Sequence, residues 1–228
     1  MSPRGSARVN RSDSARWRAV CLISLGLLLG FGLAIVATGV LPGDRFLRGE
    51  LLVNGTGGVT GLIRWVNYGG RAQVLVPGTI LLFVLSPVAR RHWWLWCAAL
   101  IGAPLFQNVL KSVVGRSRPD GSSLGFPSGH ATAAATFAVV VIDIASRERL
   151  GRGQRLALQA LAACFMLAVG WARIVRSAHW PSDVLGGFLL GICCAAAAAW
   201  WETSRSEAGA SDTVFGAMGD ARFVPPPR

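Results

Sequence analysis

Six apolar blocks, most of them close to the length of a membrane-spanning helix, constrain this chain more than any other feature of its sequence. A helix needs about 20 apolar residues to cross a bilayer, and about 17 is the lower limit. Hydrophobic residues make up 52% of the chain and charged residues only 15%, whereas soluble domains average about 25% charged residues. The sequence therefore predicts an all-α, polytopic bundle of six transmembrane helices. The blocks run over Ala19–Val40, Ala72–Ala89, Trp93–Val114, Ala131–Ala145, Leu156–Ile174 and Val184–Trp201.

The pattern divides the chain into three segments. Residues 1–18 are polar and basic, residues 19–201 form the six-span membrane domain, and residues 202–228 are small, polar and proline-ended. We expect the last segment to be a disordered tail, because it has too little apolar surface to fold. The first apolar block is longer than the core of about 7–15 residues in a signal peptide, which favours a retained span. Residues 42–70 are too polar to span and are expected to form a short interfacial helix.

Basic residues indicate how the bundle is oriented. Fourteen of the 23 basic residues lie on the same side as the N-terminus, and nine lie on the other side. Because lysine and arginine are enriched in cytoplasmic loops, we expect both termini in the cytoplasm. The formal net charge of +12 does not indicate a nucleic-acid partner, because the arginines form short clusters between apolar blocks rather than a basic stripe.

Three polar segments on the predicted outer side carry the candidate chemistry. They hold two of the three histidines and the only lysine of the chain. The segments lie at the ends of consecutive spans that face the same side, so the topology allows them to meet. Their candidate residues are Lys111 and Arg118 in the first, Ser128, Gly129 and His130 in the second, and Arg173, His179 and Asp183 in the third.

These residue types suit the binding and transfer of a phosphoryl group. Arginine presents a fork of donors to phosphate oxygens, and lysine acts as a point charge. Ser128 is expected to cap the fourth span, and Gly129 to let its free N–H groups approach an anion. The sequence shows no carboxylate cluster for magnesium, so we predict a site that uses fixed cations and neither metal nor cofactor.

Two histidines and one carboxylate are assigned the catalytic roles. His179 and Asp183 are four residues apart at the start of the sixth span, so the carboxylate can orient the imidazole and stabilise its cation. His179 is then the nucleophile toward phosphorus. His130, on a separate segment, is placed to protonate the leaving oxygen, since histidine titrates near neutral pH.

The three segments resemble the signature of the type 2 phosphatidic acid phosphatase family, PAP2. That signature is lysine, six residues, Arg-Pro; then Pro-Ser-Gly-His; then Ser-Arg, five residues, histidine, three residues, aspartate. One position departs from it, because Ala172 stands where the family has serine.

The resemblance implies a phosphohistidine at His179, a general acid at His130 and support of His179 by Asp183. Phosphate would be held by Lys111, Arg118, Ser128, Gly129 and Arg173. It also implies a metal-independent enzyme of the plasma membrane with its site on the extracytoplasmic side. The implied partners are the bilayer and a lipid phosphate substrate, such as phosphatidic acid, phosphatidylglycerol phosphate or a polyprenyl diphosphate.

Other functions remain open at this point. A phosphotransferase would pass the same phosphohistidine to an acceptor other than water, and the sequence does not separate it from a phosphatase. A lipid-binding or transport protein with an inactive site is the alternative of another class. A vanadium haloperoxidase, which carries the same signature, is disfavoured because six spans suit a lipid substrate better than a soluble halide. Oligomeric state does not follow from the sequence.

Overall fold

The structure, a computed structural model, describes residues 11–55 and 60–220, and the regular secondary structure in these ranges is helical. An isolated antiparallel bridge joins Ser117 to Leu124. The all-α prediction is therefore confirmed. The helices are α1 (Arg11–Thr38), α2 (Pro42–Gly55), α3 (Thr60–Tyr68), α4 (Ala72–Leu85), α5 (Pro87–Arg91), α6 (Trp93–Val114), α7 (Gly129–Arg147), α8 (Arg152–Val175) and α9 (Pro181–Asp220).

Five of these helices are long and apolar enough to cross a membrane: α1, α6, α7, α8 and α9. A sixth span exists only if Gly61–Tyr68 of α3 and the whole of α4 count as one span. The two helices are bent by 56° at their junction. The predicted second span, Ala72–Ala89, is interrupted at Ser86. The Ser86 hydroxyl accepts a hydrogen bond from the N–H of Ala89 and thereby starts α5, with Pro87 at its first position.

The segment between the first two spans forms two helices, α2 and α3, rather than the single short helix that we expected. α2 places Asp44 in the protein interior, where that side chain is almost fully buried. α3 packs against α8 through Ile63. Both helices therefore contribute to the packing of the bundle.

Helices α7 and α9 form the centre of the bundle and lie unusually close to each other. A Cβ at Gly187 would lie 2.6 Å from the carbonyl oxygen of Ser128, and one at Gly191 would lie 2.5 Å from that of Thr132. Only residues without a side chain permit this approach, which is the usual role of small residues between membrane helices. The backbones of α7, which carries His130, and of α9, which begins two residues after His179, are thus in direct contact.

The helix that contains the last apolar block, α9, does not end where we expected a disordered tail to begin. α9 continues through Asp220, and residues 221–228 lie outside the described residues. Glu202 and Thr203 are buried, and Glu202 is bound by Arg147 and His92. These ion pairs hold the start of the predicted tail against the bundle. They explain why the helix continues past residue 201.

Candidate active site

The three polar segments converge at one end of the bundle, which we call the site end. The C-terminus of α6, the N-terminus of α7, the C-terminus of α8 and the N-terminus of α9 all lie there. Lys111 is within electrostatic range of Arg118, Arg173 and Asp183. His130 is within range of Arg118, Arg173 and His179. These predicted residues from distant parts of the chain thus lie near one another at the site end.

His179 and Asp183 form a buried pair at the start of α9. The ring Nδ1 of His179 lies 3.4 Å from Oδ2 of Asp183, and the two side chains are 1% and 0% exposed. The N–H of Trp180 donates to the same oxygen at 3.0 Å, which fixes the carboxylate. Such catalytic hydrogen bonds are often long without substrate and tighten when the transition state forms.

Burial lowers the pKa of His179 below its ordinary value, and the hydrogen bond with Asp183 opposes this effect without cancelling it. Arg173 and Arg118 lower the pKa further through their positive charges. The imidazole is consequently neutral at neutral pH. A neutral ring nitrogen carries the lone pair that a nucleophile needs.

The Asp183 carboxylate is also bound by an arginine that the sequence analysis treated as a topology charge. Arg116 donates to Asp183 Oδ1 at 3.0 Å and to the Ser182 hydroxyl at 2.6 Å. Its other terminal nitrogen forms an ion pair with Asp44, and all these side chains are buried. Asp44 also accepts hydrogen bonds from the Ser182 N–H at 2.8 Å and the Ser182 hydroxyl at 2.7 Å. Helix α2 is thereby tied to the first turn of α9.

Ser128 does not act as the expected capping side chain. It occupies the N-cap of α7, but its hydroxyl makes no capping bond and is buried without a partner in the described part of the chain. Its N–H, which we expected to be free for an anion, donates to the carbonyl oxygen of Asp183 at 2.9 Å. The hydroxyl, rather than the N–H, is therefore the group that Ser128 can offer to a ligand.

Gly129 and Gly70 are required by close contacts with neighbouring helices. A Cβ at Gly129 would lie 2.9 Å from the side-chain oxygen of Gln107 on α6. A Cβ at Gly70 would lie 2.7 Å from the Cβ of His130. The space that a side chain of Gly129 would occupy is thus taken by Gln107. The turn between α3 and α4 lies directly against His130.

Arg173 is positioned by a residue that the sequence analysis did not identify. One of its terminal nitrogens donates to the side-chain oxygen of Asn67 on α3 at 2.6 Å, and both side chains are buried. Ala172, the departure from the family signature, is fully buried in a cluster with Ile63 and Val175. A hydroxyl at this position would be placed in that apolar contact between α8 and α3.

Several buried polar atoms at the site end have no hydrogen-bond partner among the described residues. Buried donors without partners are rare in folded proteins, and each is a candidate ligand contact. Four of them belong to two cations, a hydroxyl and an imidazole, the set that a phosphate dianion would satisfy: Arg118 Nε, Arg173 Nε, Ser128 Oγ and His130 Nε2. Gln107 Nε2 and Arg116 Nε are also without a partner among the described residues.

Sequence reasoning missed Asp44, Asn67, Gln107 and Arg116 at this site. Arg116 lies two residues before Arg118, so its position near the site was visible, but its pairing with Asp183 was not. Asp44 and Asn67 lie in the segment assigned to an interfacial helix. The sequence marks Asp44 and Asn67 only as a carboxylate and an amide in a largely apolar chain.

The fold is that of a polytopic membrane protein, with a polar cluster that contains two histidines at one end of its helix bundle. The sequence profile described as "PAP2 superfamily" matches residues 120–207. A phosphatidylglycerophosphatase B of Bacillus subtilis is 33% identical over 132 residues, 54% of this chain and 65% of that protein. A putative undecaprenyl-diphosphatase of Escherichia coli is 36% identical over 100 residues, which cover 43% of this chain and 44% of that protein.

A solved structure shares the fold. The crystal structure of a transmembrane PAP2-type phosphatidylglycerolphosphate phosphatase from Bacillus subtilis has a TM-score of 0.71 at 22% identity. It covers 81% of this chain and 96% of its own. The segment of the chain that holds His130, His179 and Asp183 is thus similar to the PAP2 superfamily. The chain spans 65% and 44% of the lengths of the two curated relatives given above.

Proposed function

We propose that this chain is a metal-independent lipid phosphatase that passes the phosphoryl group of its substrate through His179. One observation carries the proposal: Arg118 and Arg173, whose Nε donors have no partner among the described residues, act electrostatically on a neutral imidazole that is buried against a carboxylate. Fixed donors aimed at developing charge are usually the largest contribution to catalysis. The phosphatase names of the curated relatives support the same reaction class.

In the first half-reaction, His179 attacks phosphorus while the bond to the lipid oxygen breaks. Because Asp183 engages Nδ1, Nε2 is the ring nitrogen that forms the new N–P bond. Asp183 stabilises the cation that develops on the ring. Lys111, Arg118 and Arg173 neutralise the charge on the phosphoryl oxygens. His130 gives a proton to the leaving oxygen, so a lipid alcohol departs from a monoester and a lipid phosphate from a diphosphate.

In the second half-reaction, water attacks the phosphohistidine. His130, which is then unprotonated, accepts a proton from this water as the N–P bond breaks. Inorganic phosphate leaves, and both imidazoles return to their starting protonation states. The roles of the two histidines are thus complementary, and they require the two rings to face the same phosphorus.

The polar site lies at one end of apolar helices, which suits a substrate with a charged head and a membrane-embedded tail. With both termini in the cytoplasm, as the arginine distribution predicts, the site end faces the extracytoplasmic side of a plasma membrane. This orientation forms part of the proposal. Cysteine labelling from the two sides of intact cells at Ser123, in the exposed loop before α7, and at Arg149, in the exposed loop before α8, would test it.

The central experiment measures phosphate release by the full-length protein in detergent, with phosphatidic acid, phosphatidylglycerol phosphate and polyprenyl diphosphate as substrates, in EDTA. We expect release to persist, and to be lost in His179→Ala. Turnover in His179→Ala equal to that of the wild type would refute the mechanism. Transfer of phosphate to added glycerol in preference to water would identify a phosphotransferase instead. Lipid binding without turnover in the wild type would identify an inactive binding or transport protein.

A further inference from the structure

Gln107 on α6 carries a buried amide that the proposed reaction does not use. Its side chain is only 6% exposed, and its Nε2 has no hydrogen-bond partner among the described residues. Buried amide donors are almost always paired, because an unpaired one loses its bonds to water and gains none in return. The amide of Gln107 is therefore a donor that is available to a ligand.

The amide lies against the first residue of α7. A Cβ at Gly129 would lie 2.9 Å from Oε1 of Gln107, 3.3 Å from its Cδ and 3.7 Å from its Nε2. The N–H groups in the first turn of a helix have no partner within that helix. The end of the Gln107 side chain thus reaches the helix N-terminus that the proposed site uses for phosphoryl oxygens.

The same face of α6 carries the lysine of the site. Gln107 and Lys111 are four residues apart, so their side chains lie on one side of the helix and one turn apart. Because Gln107 contacts the start of α7, this is the face that α6 turns toward the site end. Lys111 is within electrostatic range of Arg118, Arg173 and Asp183. Helix α6 therefore brings a neutral donor to the site as well as a charged one.

A second unpaired group lies at the same helix start. The Ser128 hydroxyl is fully buried and has no partner in the described ranges. Gln107 and Ser128 both lie next to Gly129, yet they do not hydrogen-bond to each other. Two buried groups left free beside one helix N-terminus are the arrangement expected of an anion site that its ligand completes.

From this geometry we infer that Gln107 is a further phosphate-binding residue, whose amide N–H donates to an oxygen of the transferring phosphoryl group. The inference rests on the proposed function and adds a residue to that same site. Because the site already has more cations than carboxylates, a neutral amide adds a directed hydrogen bond without adding repulsion between like charges. Its bond strengthens as negative charge grows on the oxygen in the transition state.

Gln107→Met removes the amide with little change in shape. Methionine is unbranched, is similar in length to glutamine and has no donor. Since the amide is unpaired in the free protein, its loss should leave the melting temperature in detergent unchanged or raised. Gln159→Met is the matched control. Gln159 Nε2 donates to the carbonyl oxygen of Ile142 at 3.4 Å, and it lies about 21 Å from Arg173 along α8 at 1.5 Å per residue.

The experiment measures the binding of inorganic phosphate and the turnover of lipid by the full-length protein in detergent. Phosphate is the product of the proposed reaction, so it should raise the melting temperature of the wild type. In Gln107→Met we expect phosphate to bind about tenfold more weakly, as for the loss of one hydrogen bond to a charged group. We expect kcat/KM for any lipid phosphate that the wild type hydrolyses to fall by about thirtyfold, since the bond is stronger in the transition state. Gln159→Met should match the wild type in both measurements.

Three results would overturn the inference while leaving the proposed function intact. One is a Gln107→Met protein whose phosphate affinity and kcat/KM are within about twofold of the wild type. Another is a loss of kcat/KM with unchanged phosphate affinity. The third is a clearly lower melting temperature of the free protein, or failure to fold, because the amide would then be a structural group. Release of phosphate from no lipid by the wild type would instead refute the proposed function, and phosphate binding would still decide the inference.

Discussion

The two ends of the bundle each contain a cluster of buried charges, and the two clusters are built differently. At the end opposite the site, Arg147 binds Asp143 at 2.8 Å and also binds Glu202. Glu202 in turn contacts His92 at 2.7 Å. In this far-end cluster the single arginine has a carboxylate on each side. Most of its donors are used within the protein.

The site-end cluster has more cations than carboxylates. Four basic side chains share two carboxylates there, and Arg116 alone contacts both of them. The other three, Lys111, Arg118 and Arg173, have no carboxylate within ion-pair distance among the described residues. Buried charge that is paired holds helices together, whereas a buried excess of one sign needs a ligand of the other sign. The contrast supports the proposal that the site end binds an anionic ligand, and it favours a structural role for the far end.

The largest expected effect on turnover is that of His179→Ala. Removal of the nucleophile should reduce kcat by about a thousandfold or more, as for other catalytic units in which a nucleophile and its partner act together. Phosphate release with a lipid radiolabelled in its phosphate measures the loss, and labelled enzyme trapped under alkaline denaturing conditions, in which a phosphohistidine is stable, should be absent. The far-end histidine provides the control, because His92→Ala should retain near-normal kcat. Equal losses in both variants would remove the distinction between the clusters.

Arg118→Gln should have the next largest effect. In the proposed site the guanidinium binds the phosphoryl group, and it makes no ion pair among the described residues, so its loss should remove transition-state stabilisation and leave the fold intact. We expect kcat/KM to fall by about a hundredfold, since hydrogen bonds to developing charge are worth about 3 kcal/mol. Kinetics together with a thermal unfolding curve in detergent would measure both properties. A large drop in melting temperature would contradict the assignment of this cation to binding.

A smaller effect is expected in the pH profile. Because burial lowers the pKa of His179, the neutral nucleophile persists, and kcat/KM of the wild type should begin to fall only below the ordinary histidine value of about 6.5. In Asp44→Asn, Arg116 keeps Asp183 as its only anionic partner among the described residues. Its positive charge then offsets more of the negative charge of that carboxylate. The support of the imidazolium weakens, so the acid limb should move to still lower pH.

The size of that movement is limited. The acid limb should move by no more than about one pH unit, over which the neutral fraction of His179 changes about tenfold. The change in kcat/KM at acid pH should therefore not exceed about tenfold. Profiles of kcat/KM between pH 4 and 8 would show it, with phosphate release as the readout. Displacement of the acid limb toward higher pH would contradict the proposed link between Asp44 and His179. Asp44→Glu, which keeps the charge, should restore most of the wild-type profile.

The smallest effect on turnover is expected at the far end, where Arg147→Gln should leave kcat unchanged. Stability should instead fall by about 3 kcal/mol, because the buried carboxylate of Asp143 loses its paired cation. Denaturant unfolding in mixed micelles would measure the stability, and kinetics on the folded fraction would measure turnover. A selective loss of kcat with normal stability would mean that the far-end cluster takes part in function.

Much of the site could be predicted because topology and chemistry agree. Lys111, His130, Arg173 and Asp183 lie next to the ends of consecutive spans, so an antiparallel bundle brings them together whatever the details of packing. The apolar blocks likewise determine the helical class. Asp143 and Arg147, four residues apart on one helix, form the ion pair that this spacing favours.

The rest depended on contacts between distant segments, which no local pattern records. Arg116 and Asp44 are separated by more than seventy positions, and only the packing of α2 against α9 joins them. The break at Ser86 and Pro87 was hidden inside a continuous apolar block. The backbone N–H of Ser128 could not be assigned from the sequence, because its acceptor lies on another helix.

The hydrogen bond between the Ser128 N–H and the Asp183 carbonyl joins two main chains, and the glycines of α9 hold the same seam. The spacing between the first turns of α7 and α9, and with it the proposed spacing of proton donor and nucleophile, is thus set largely by backbone geometry. Side chains at the periphery are free to vary without disturbing that spacing. Under the proposed function, such variation would change the lipid that is bound and leave the reaction the same.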